Sequence, residues 1–130
     1  MTATIYGEAR GLDEAGRIAV AWSIRNRAEH PSWWGNTITD VCLKPFQYSC
    51  WNQSDPNLKA MFLASLGVSG GAVYRACGYV ADKVIGGKVD DPTKGATHYY
   101  NPDVVAMPKW AAGKTPCAQI GPHLFFNDIN

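Results

Sequence analysis

The sequence has no excess of charge of either sign. Its 130 residues include 12 Lys and Arg and 11 Asp and Glu, a formal net charge of +1. No run of Lys or Arg occurs anywhere in the chain. Because a nucleic-acid-binding domain needs a basic surface that neutralises phosphates, we expect no nucleic-acid partner.

The sequence also lacks a long apolar segment. Its longest apolar run, Ile18–Ile24, contains Ser23 and is far shorter than the roughly 20 residues that span a bilayer as a helix. The segment Met1–Arg10 contains Glu8 and has no apolar core of the kind found in signal peptides. We therefore expect no membrane insertion and no secretion signal in this sequence.

Sequence signatures of several enzyme classes are missing as well. The chain contains no Gly-x-Ser-x-Gly, P-loop, His-Glu-x-x-His or dinucleotide-binding motif. Its four cysteines, at positions 42, 50, 77 and 117, lack the spacing of a metal site. We expect no metal and no cofactor. The cysteines could form two disulfides in three different pairings, and the sequence leaves their redox state open.

What the sequence does contain is a globular composition with many aromatic residues. Hydrophobic residues make up 46% of the chain, with five Trp and six Tyr. Flat aromatic faces suit stacking against sugar rings, although small domains also use them to build a core. Trp33 and Trp34 lie in a predicted loop, where we expect both to be exposed. The length, without a linker or repeat, predicts one domain over residues 1–130, acting as a monomer.

The first two thirds of the sequence predict a helical body. Thr2 can cap a first helix, and Gly11 can end it in a left-handed conformation. Asp13 begins a second helix, which is apolar through its middle and is therefore expected at the centre of the fold. Further helices are predicted from Asn36 to Leu43, from Asp55 to Gly67 and from Val73 to Gly86.

After Gly87 the sequence changes to turn-rich loops. Ala96–Tyr100 has the composition of a short strand, and Ile120–Phe126 fits a last short strand or a loop. The predicted fold class is α+β, mainly α, with a helical body followed by a small C-terminal part of loops and β-structure.

Glu8 is the strongest catalytic candidate among the eleven acidic residues. It lies near the C-terminal end of the first predicted helix, where the helix dipole and apolar neighbours raise the pKa of a carboxyl group. A general acid that works near neutral pH needs such a pKa. The alternative, from the residues alone, is a surface glutamate paired with Arg10.

Polar residues in the loop-rich segments are candidates for substrate binding. Gln47, Ser49 and Asn101 stand among aromatic residues, a mixture that suits sugar hydroxyl and N-acetyl groups. His98 and His123 could bind a ligand, act as a base or hydrogen-bond to the backbone in a purely structural role.

Five segments of the sequence resemble the catalytic domain of SleB-type, spore-cortex-lytic cell-wall hydrolases and of small phage endolysins that share this domain. In the family order, they are IYGEARG (Ile5–Gly11), GRIAVAWSIRNRA (Gly16–Ala28), FQYSCWN (Phe46–Asn52), ATHYYNP (Ala96–Pro102) and IGPHLFF (Ile120–Phe126). The resemblance implies a lysozyme-like, mainly helical fold that cuts the glycan strand of peptidoglycan. It places the catalytic glutamate of the family at Glu8.

The resemblance also implies a substrate cleft between the helical body and the C-terminal part. The substrate-binding residues expected from the matched segments are Gln47, Ser49, His98, Tyr99, Tyr100, Asn101 and His123. Trp33, Trp34 and the cysteines at positions 42, 77 and 117 fall outside the family pattern, so the resemblance implies no role for them.

The number of carboxylates favours a lytic transglycosylase. A glycosidase with two catalytic carboxylates needs a second acid facing the first, and the five matched segments contain Glu8 alone. The N-acetyl group and the 6-hydroxyl of the substrate can then complete the reaction and leave a 1,6-anhydro end on N-acetylmuramic acid. If a loop acid supplies a base, water attacks instead and the enzyme is a muramidase. The sequence leaves both open.

Two other classes of function remain open. One is a metal-dependent N-acetylmuramoyl-L-alanine amidase that uses His98 and His123 with an acid. The other is a non-catalytic glycan-binding module built on aromatic residues. Whether the protein is a glycosidase or an amidase, its expected place of action is the bacterial cell wall, in the periplasm or outside the cell. A phage lysin would remain in the cytoplasm until lysis, and a bacterial enzyme trimmed to its catalytic domain fits nearly as well.

Overall fold

The computed structural model describes residues 1–129, which form five α-helices followed by a small sheet. The helices are α1 (Thr2–Ala9), α2 (Glu14–Glu29), α3 (Ile38–Leu43), α4 (Pro56–Ser65) and α5 (Gly71–Ile85). The strands are β1 (His98–Tyr100), β2 (Ala118–Ile120) and β3 (His123–Phe126), and short helical turns occur at Ser49–Trp51 and Lys109–Ala111. Within residues 1–129, no helix is long and apolar enough to cross a bilayer. The prediction of a mainly helical α+β fold is confirmed.

Helix α2 lies at the centre of the helical body, as its apolar composition predicts. The carboxylate of Asp13 caps it by accepting a hydrogen bond from the backbone N–H of Gly16 (2.9 Å). Val20 and Ile24 are fully buried in a core to which all five helices contribute. The helix packs against α1, α3 and α5, so its rigid surface supports the short helix that carries Glu8.

The two ends of α1 differ from the sequence prediction. Met1 precedes Thr2 as the N-cap residue and makes no side-chain capping bond. Gly11 is not among the glycines with positive φ. The chain instead continues in a right-handed turn, in which the N–H of Leu12 bonds to the carbonyl of Ala9 (3.0 Å), and this turn leaves no need for a left-handed residue.

The sheet has the strand order β1-β3-β2, and both pairs of strands are antiparallel. Strand β1 confirms the strand predicted within Ala96–Tyr100. The segment Ile120–Phe126 supplies the end of β2, the turn and the whole of β3. The sequence does not predict β2, because Ala118 and Gln119 are not typical strand residues.

Two polar side chains of α2 hold the sheet against the helical body. The amide of Asn26 donates hydrogen bonds to the carbonyl of Ala96 (3.0 Å) and to the carboxylate of Asp91 (2.9 Å). The Nε atom of Arg27 donates to the carbonyl of Thr97 (2.6 Å). Both side chains are buried, so the C-terminal end of α2 forms an internal contact with the sheet.

Trp33 and Trp34 differ in their exposure to solvent. Trp33 is half exposed, but Trp34 is buried and its indole N–H donates to the carbonyl of Arg27 (2.8 Å). The expectation that both are exposed is therefore wrong for Trp34. All four cysteines are free thiols, and Cys77 is fully buried on α5.

Candidate active site

Glu8 lies in the last turn of α1, against the short helical turn Ser49–Trp51. The close approach depends on the glycine at position 7. A Cβ atom on Gly7 would lie 2.6 Å from the Cβ of Cys50 and 2.7 Å from the sulfur of Met61, closer than such atoms can come. The absence of a side chain at position 7 therefore lets α1, α4 and the Ser49–Trp51 turn meet beside the carboxyl group.

Burial raises the pKa of Glu8 above its ordinary value. Its Oε1 atom is buried and has no hydrogen-bond partner within residues 1–129. Polar contacts with the thiol and the backbone N–H of Cys50 oppose this rise in pKa, while the negative charge of Asp55 adds to it. A carboxyl group in these surroundings retains its proton at higher pH and can donate it, which is the property of a general acid.

Arg10 does not pair with Glu8. Its guanidinium donates to the side-chain oxygen of Asn57 (2.6 Å) and to the carbonyl of Gly7 (3.4 Å), and it lies 5.3 Å from the centre of the Tyr6 ring. The ion pairs found among residues 1–129 do not include Glu8. The alternative of a surface ion pair between Glu8 and Arg10 is therefore wrong.

Two tyrosines lie close enough to Glu8 for its charge to affect them. Burial raises the pKa of Tyr48 to about 12, and burial raises the pKa of Tyr99 well above its usual value. The negative charge of Glu8 contributes in both cases. The hydroxyl of Tyr48 is buried and has no hydrogen-bond partner in the described part of the chain. Both phenols therefore stay protonated and can act as hydrogen-bond donors near the carboxyl group.

Strand β1 distributes its three predicted substrate-binding residues over two faces. Tyr99 lies on the face whose electrostatics involve Glu8. His98 and Tyr100 lie on the other face, where their rings stand 4.9 Å and 5.9 Å from the ring of Trp110. Because successive residues of a strand face opposite sides, the structure brings Tyr99 to the acid and directs the other two away.

His98 is enclosed by aromatic rings. Its side chain is 5% exposed, with the Trp34 ring at 5.7 Å and the Trp110 ring at 4.9 Å. Its Nδ1 atom shares a hydrogen bond with the hydroxyl of Thr97 (2.9 Å). Burial, together with the positive charge of Arg27, lowers the pKa of His98 to about 4. These contacts favour the structural role that the sequence leaves open for this histidine.

His123 begins the central strand β3, and Asn101 directly follows β1. The ring of His123 packs edge-on against Tyr99, with centroids 5.1 Å apart, and burial lowers its pKa. His123 therefore shares the face of Tyr99, whereas His98 is on the opposite face, so the two histidines do not converge on one metal site. Asn101 accepts a hydrogen bond from the N–H of Asp103 (2.9 Å) in the turn after β1.

Gln47 and Ser49 precede and follow Tyr48 on the segment that approaches Glu8. Ser49 is exposed and Gln47 is half-buried, so both side chains are accessible beside the acid. Their role in substrate binding stays a prediction, as do the roles of His98, Tyr100, Asn101 and His123.

The structure adds three residues that sequence reasoning did not select. Cys50 is in polar contact with the carboxyl group of Glu8, and the charge of Glu8 affects the pKa of Tyr48. Arg27 stands between two rings, its Cζ atom 5.5 Å from the centre of Trp34 and 5.6 Å from that of Tyr48. All three lie in segments that resemble the family pattern, a signal that could have identified them.

The sequence is similar to a known protein family. A family model described as cell wall hydrolase matches residues 11–126. The matched region begins after Glu8, so the case for this residue rests on its surroundings and on the resemblance of the segment that contains it.

Curated relatives are similar over almost the whole chain. The spore cortex-lytic enzyme of Halalkalibacterium halodurans is 31% identical over 129 residues, which are 98% of this chain and 33% of that protein. The spore cortex-lytic enzyme of Bacillus cereus is 30% identical over 127 residues, 96% of this chain and 42% of that protein. The chain thus spans between a third and a half of the length of these relatives.

Two solved structures share the fold. The catalytic domain of the germination-specific lytic transglycosylase SleB from Bacillus anthracis is 27% identical with a TM-score of 0.67, covering 96% of this chain and 88% of that one. The catalytic domain of SleB from Bacillus cereus is 29% identical with a TM-score of 0.68, covering 96% and 84%. The predicted lysozyme-like fold is thereby confirmed. Since the family model covers most of the sequence, the chain belongs to the cell wall hydrolase family, as its SleB-type segments predict.

Proposed function

We propose that this chain cleaves the glycan strands of peptidoglycan between N-acetylmuramic acid and N-acetylglucosamine, with Glu8 as general acid and base. The observation that carries the proposal is the carboxyl group of Glu8, whose burial raises its pKa and whose Oε1 has no partner among residues 1–129. The similarity to a domain described as a lytic transglycosylase supports the same activity.

The proposed reaction is lytic transglycosylation. Glu8 donates its proton to the glycosidic oxygen while the bond from that oxygen to C1 of N-acetylmuramic acid breaks. The leaving sugar departs with a free hydroxyl, and the 2-acetamido group of the muramic acid stabilises C1. The 6-hydroxyl of the same sugar then attacks C1 and gives its proton to the Glu8 carboxylate. The product has a 1,6-anhydro end, and Glu8 is protonated again for the next turnover.

Tyr99 and the polar residues on either side of Tyr48 are proposed to hold the substrate. Tyr99 is partly exposed and stays protonated, so it offers a hydrogen-bond donor that suits an acetamido oxygen. Gln47 and Ser49 are accessible on the same segment and fit sugar hydroxyls.

The remaining predicted residues are proposed to act at a greater distance from the acid. His123 packs against Tyr99 and fixes its ring. His98 and Tyr100 anchor strand β1 against Trp110, and Asn101 orders the turn that follows the strand.

A hydrolytic muramidase is the second candidate, because Asp55 is an acid whose charge reaches Glu8. One oxygen of Asp55 accepts a hydrogen bond from the backbone N–H of Asn57 (2.8 Å) and caps α4. A carboxylate engaged in capping is less available as a base for water. We therefore favour the transglycosylase.

We propose further that residues 1–130 form one catalytic domain that acts as a monomer on the cell wall. The five described helices share one core, and Tyr99 packs against both this core and the smaller one around Phe125. The proposed reaction needs no reactant other than the glycan strand, so it can take place on the cell wall outside the cell.

Mass spectrometry of digested peptidoglycan tests the proposal. Purified peptidoglycan is incubated with the wild type and with Glu8→Gln, and the released fragments are weighed. We expect anhydro-muramic ends from the wild type. Removing a general acid lowers the rate by about 10²–10⁴-fold, so we expect the variant to release almost none.

The other outcomes of this digest have defined meanings. Reducing ends would identify a muramidase, in which case Asp55→Asn should also abolish cleavage. Free stem peptides would point to the amidase, and a fully active Glu8→Gln variant would contradict the proposed role of the acid. Tight binding without release of fragments by either protein would favour the glycan-binding module.

A further inference from the structure

Phe46 combines an exposed ring with a strained backbone. Its φ is 65°, in the left-handed region that bulky residues rarely adopt, and its side chain is 87% exposed. The N–H of Gln47 bonds to the carbonyl of Lys44 (3.2 Å), which closes a tight turn with Pro45 in second place and Phe46 in third. A turn with proline in second place and a positive φ in third usually carries glycine at that third position.

Neither feature stabilises the fold. A left-handed conformation is unfavourable for a residue with a Cβ atom, whereas glycine adopts it freely and asparagine tolerates it. The exposed ring of Phe46 removes little apolar surface from water, so it contributes little hydrophobic stabilisation. Strained conformations of this kind are found preferentially at functional sites.

The position of Phe46 connects it with the candidate active site. The same segment continues to Tyr48, whose pKa is affected by the charge of Glu8, and to Cys50, which is in polar contact with the Glu8 carboxyl group. Phe46 is therefore an exposed residue of the segment whose following residues include groups that affect Glu8.

A second aromatic surface borders the same turn. A hollow of about 390 Å³ lies beside α3, and its lining includes Trp33, Lys44 and Pro45. Trp33 is 49% exposed. Phe46 directly follows Pro45, which lines this hollow, and it precedes the residues beside the acid in the chain. A linear polymer that contacts both regions could therefore also contact the exposed ring.

We propose that Phe46 is a substrate-binding residue on which one sugar ring of the glycan strand stacks, at a subsite beside the bond cleaved at Glu8. The proposal rests on the proposed function, because it assumes that a glycan strand occupies the cleft. A flat aromatic ring matches the apolar face of a pyranose and leaves the sugar hydroxyls free to reach Gln47 or Ser49. Binding of this kind accounts for a ring that the fold itself does not need.

The test uses Phe46→Gly and Phe46→Asn, which both suit the left-handed turn and remove the ring. We expect a Tm no lower than that of the wild type for both variants. We expect kcat/KM for peptidoglycan glycan strands to fall by about tenfold, mainly through KM, because an apolar contact is lost in both the ground state and the transition state. Phe46→Trp keeps a flat ring and should retain most of the activity.

Binding is measured separately from cleavage by co-sedimentation with insoluble peptidoglycan. Both proteins compared carry Glu8→Gln, and one also carries Phe46→Gly. We expect the second protein to bind about tenfold more weakly. Lys94→Gly is the matched control, because Lys94 also has a positive φ, of 57°, and is exposed. It should relieve similar strain with no loss of cleavage.

Two results would overturn the stacking role. One is a Phe46→Gly protein that binds and cleaves as the wild type does. The other is a fall in kcat with unchanged KM and unchanged co-sedimentation, which would mean that Phe46 positions the acid instead. Failure of the proposed function is a different result: the wild type would release no glycan fragments, while co-sedimentation would still measure the contribution of Phe46.

Discussion

Burial is the main effect that disfavours the negative charge of Glu8, and the polar contacts with Cys50 offset it only in part. The sequence predicts this residue correctly as a carboxyl group near a helix end with apolar neighbours. It could not predict the direction of Arg10, which turns to Asn57 (2.6 Å). That contact joins residues 47 positions apart, so it depends on how α4 packs against α1 rather than on the local sequence.

We predict that Glu8→Gln stabilises the fold at neutral pH. Because burial raises the pKa of Glu8 in the folded protein above its ordinary value of 4.5, the folded state binds a proton more tightly than the unfolded state. Stability is therefore lost as the pH rises through the interval between the two pKa values, and the loss is complete above the folded pKa. A neutral glutamine avoids this loss, so Tm should rise by a few degrees at pH 7.

Thermal unfolding of both proteins across the pH range checks this prediction. The difference in Tm should shrink as the pH falls through the folded pKa and vanish below about 4, where both states of the wild type are protonated. Glu14→Gln is the matched control, since Glu14 is exposed and paired with Lys83 (3.0 Å). A Glu8→Gln protein that is less stable than the wild type at pH 7 would contradict the buried carboxyl group.

The helices could be predicted much better than the strands, for physical reasons. A helix is set by neighbouring residues, so Asp13 and Asp55 mark the starts of α2 and α4 in the sequence and accept the expected capping bonds in the structure. A strand of this sheet forms only by pairing with another strand. Strand β2 exists because it pairs with β3, and no local pattern at Ala118–Ile120 announces that pairing.

The close packing of α1 on the Ser49–Trp51 turn leads to a prediction about Gly7. A methyl group there would lie 2.6 Å from the Cβ of Cys50 and 2.7 Å from the sulfur of Met61. We expect Gly7→Ala to destabilise the protein by roughly 1–2 kcal/mol, because overpacking outweighs the better helix propensity of alanine. Urea unfolding measures the change, and peptidoglycan cleavage should fall with it since Glu8 is the next residue.

Gly11→Ala is the control for this effect. No atom lies within 4 Å of a Cβ built at Gly11, and its φ is not positive. We expect a neutral or slightly stabilising change there. Equal losses of stability for the two substitutions would contradict the contact with Cys50 as the reason for the glycine at position 7.

The whole molecule consists of a helical body and a sheet that meet at the end of α2. The sequence predicts both parts and, through the family resemblance, a cleft between them. It does not predict how they are joined, because Asn26 and Arg27 look like an ordinary polar helix end. Their bonds to Ala96 and Thr97 each bridge 70 positions. Those bonds orient β1, and with it they determine that Tyr99 rather than His98 faces Glu8.

This junction predicts that the two parts unfold together in the wild type and separately once the junction is weakened. Asn26→Ala removes the donor to the carbonyl of Ala96 and to the carboxylate of Asp91, and leaving such groups unpaired costs about 1–3 kcal/mol. Far-UV circular dichroism follows the helices, and amide hydrogen exchange of β1 and β3 follows the sheet. In the variant, the amides of the sheet should lose protection at lower urea than the helical transition.

Asn127→Ala is the matched control for the junction. Asn127 also donates a side-chain hydrogen bond to a backbone carbonyl, that of Lys94 (3.0 Å), but this bond is exposed and lies within the C-terminal part. We expect its two transitions to coincide, as in the wild type. Cleavage of peptidoglycan should fall in Asn26→Ala and not in Asn127→Ala, because only the first loosens the strand that carries Tyr99 toward the acid. Coincident transitions in Asn26→Ala would contradict this prediction, because the bond from Arg27 to Thr97 and the packing of Tyr99 would then suffice to keep the two parts together.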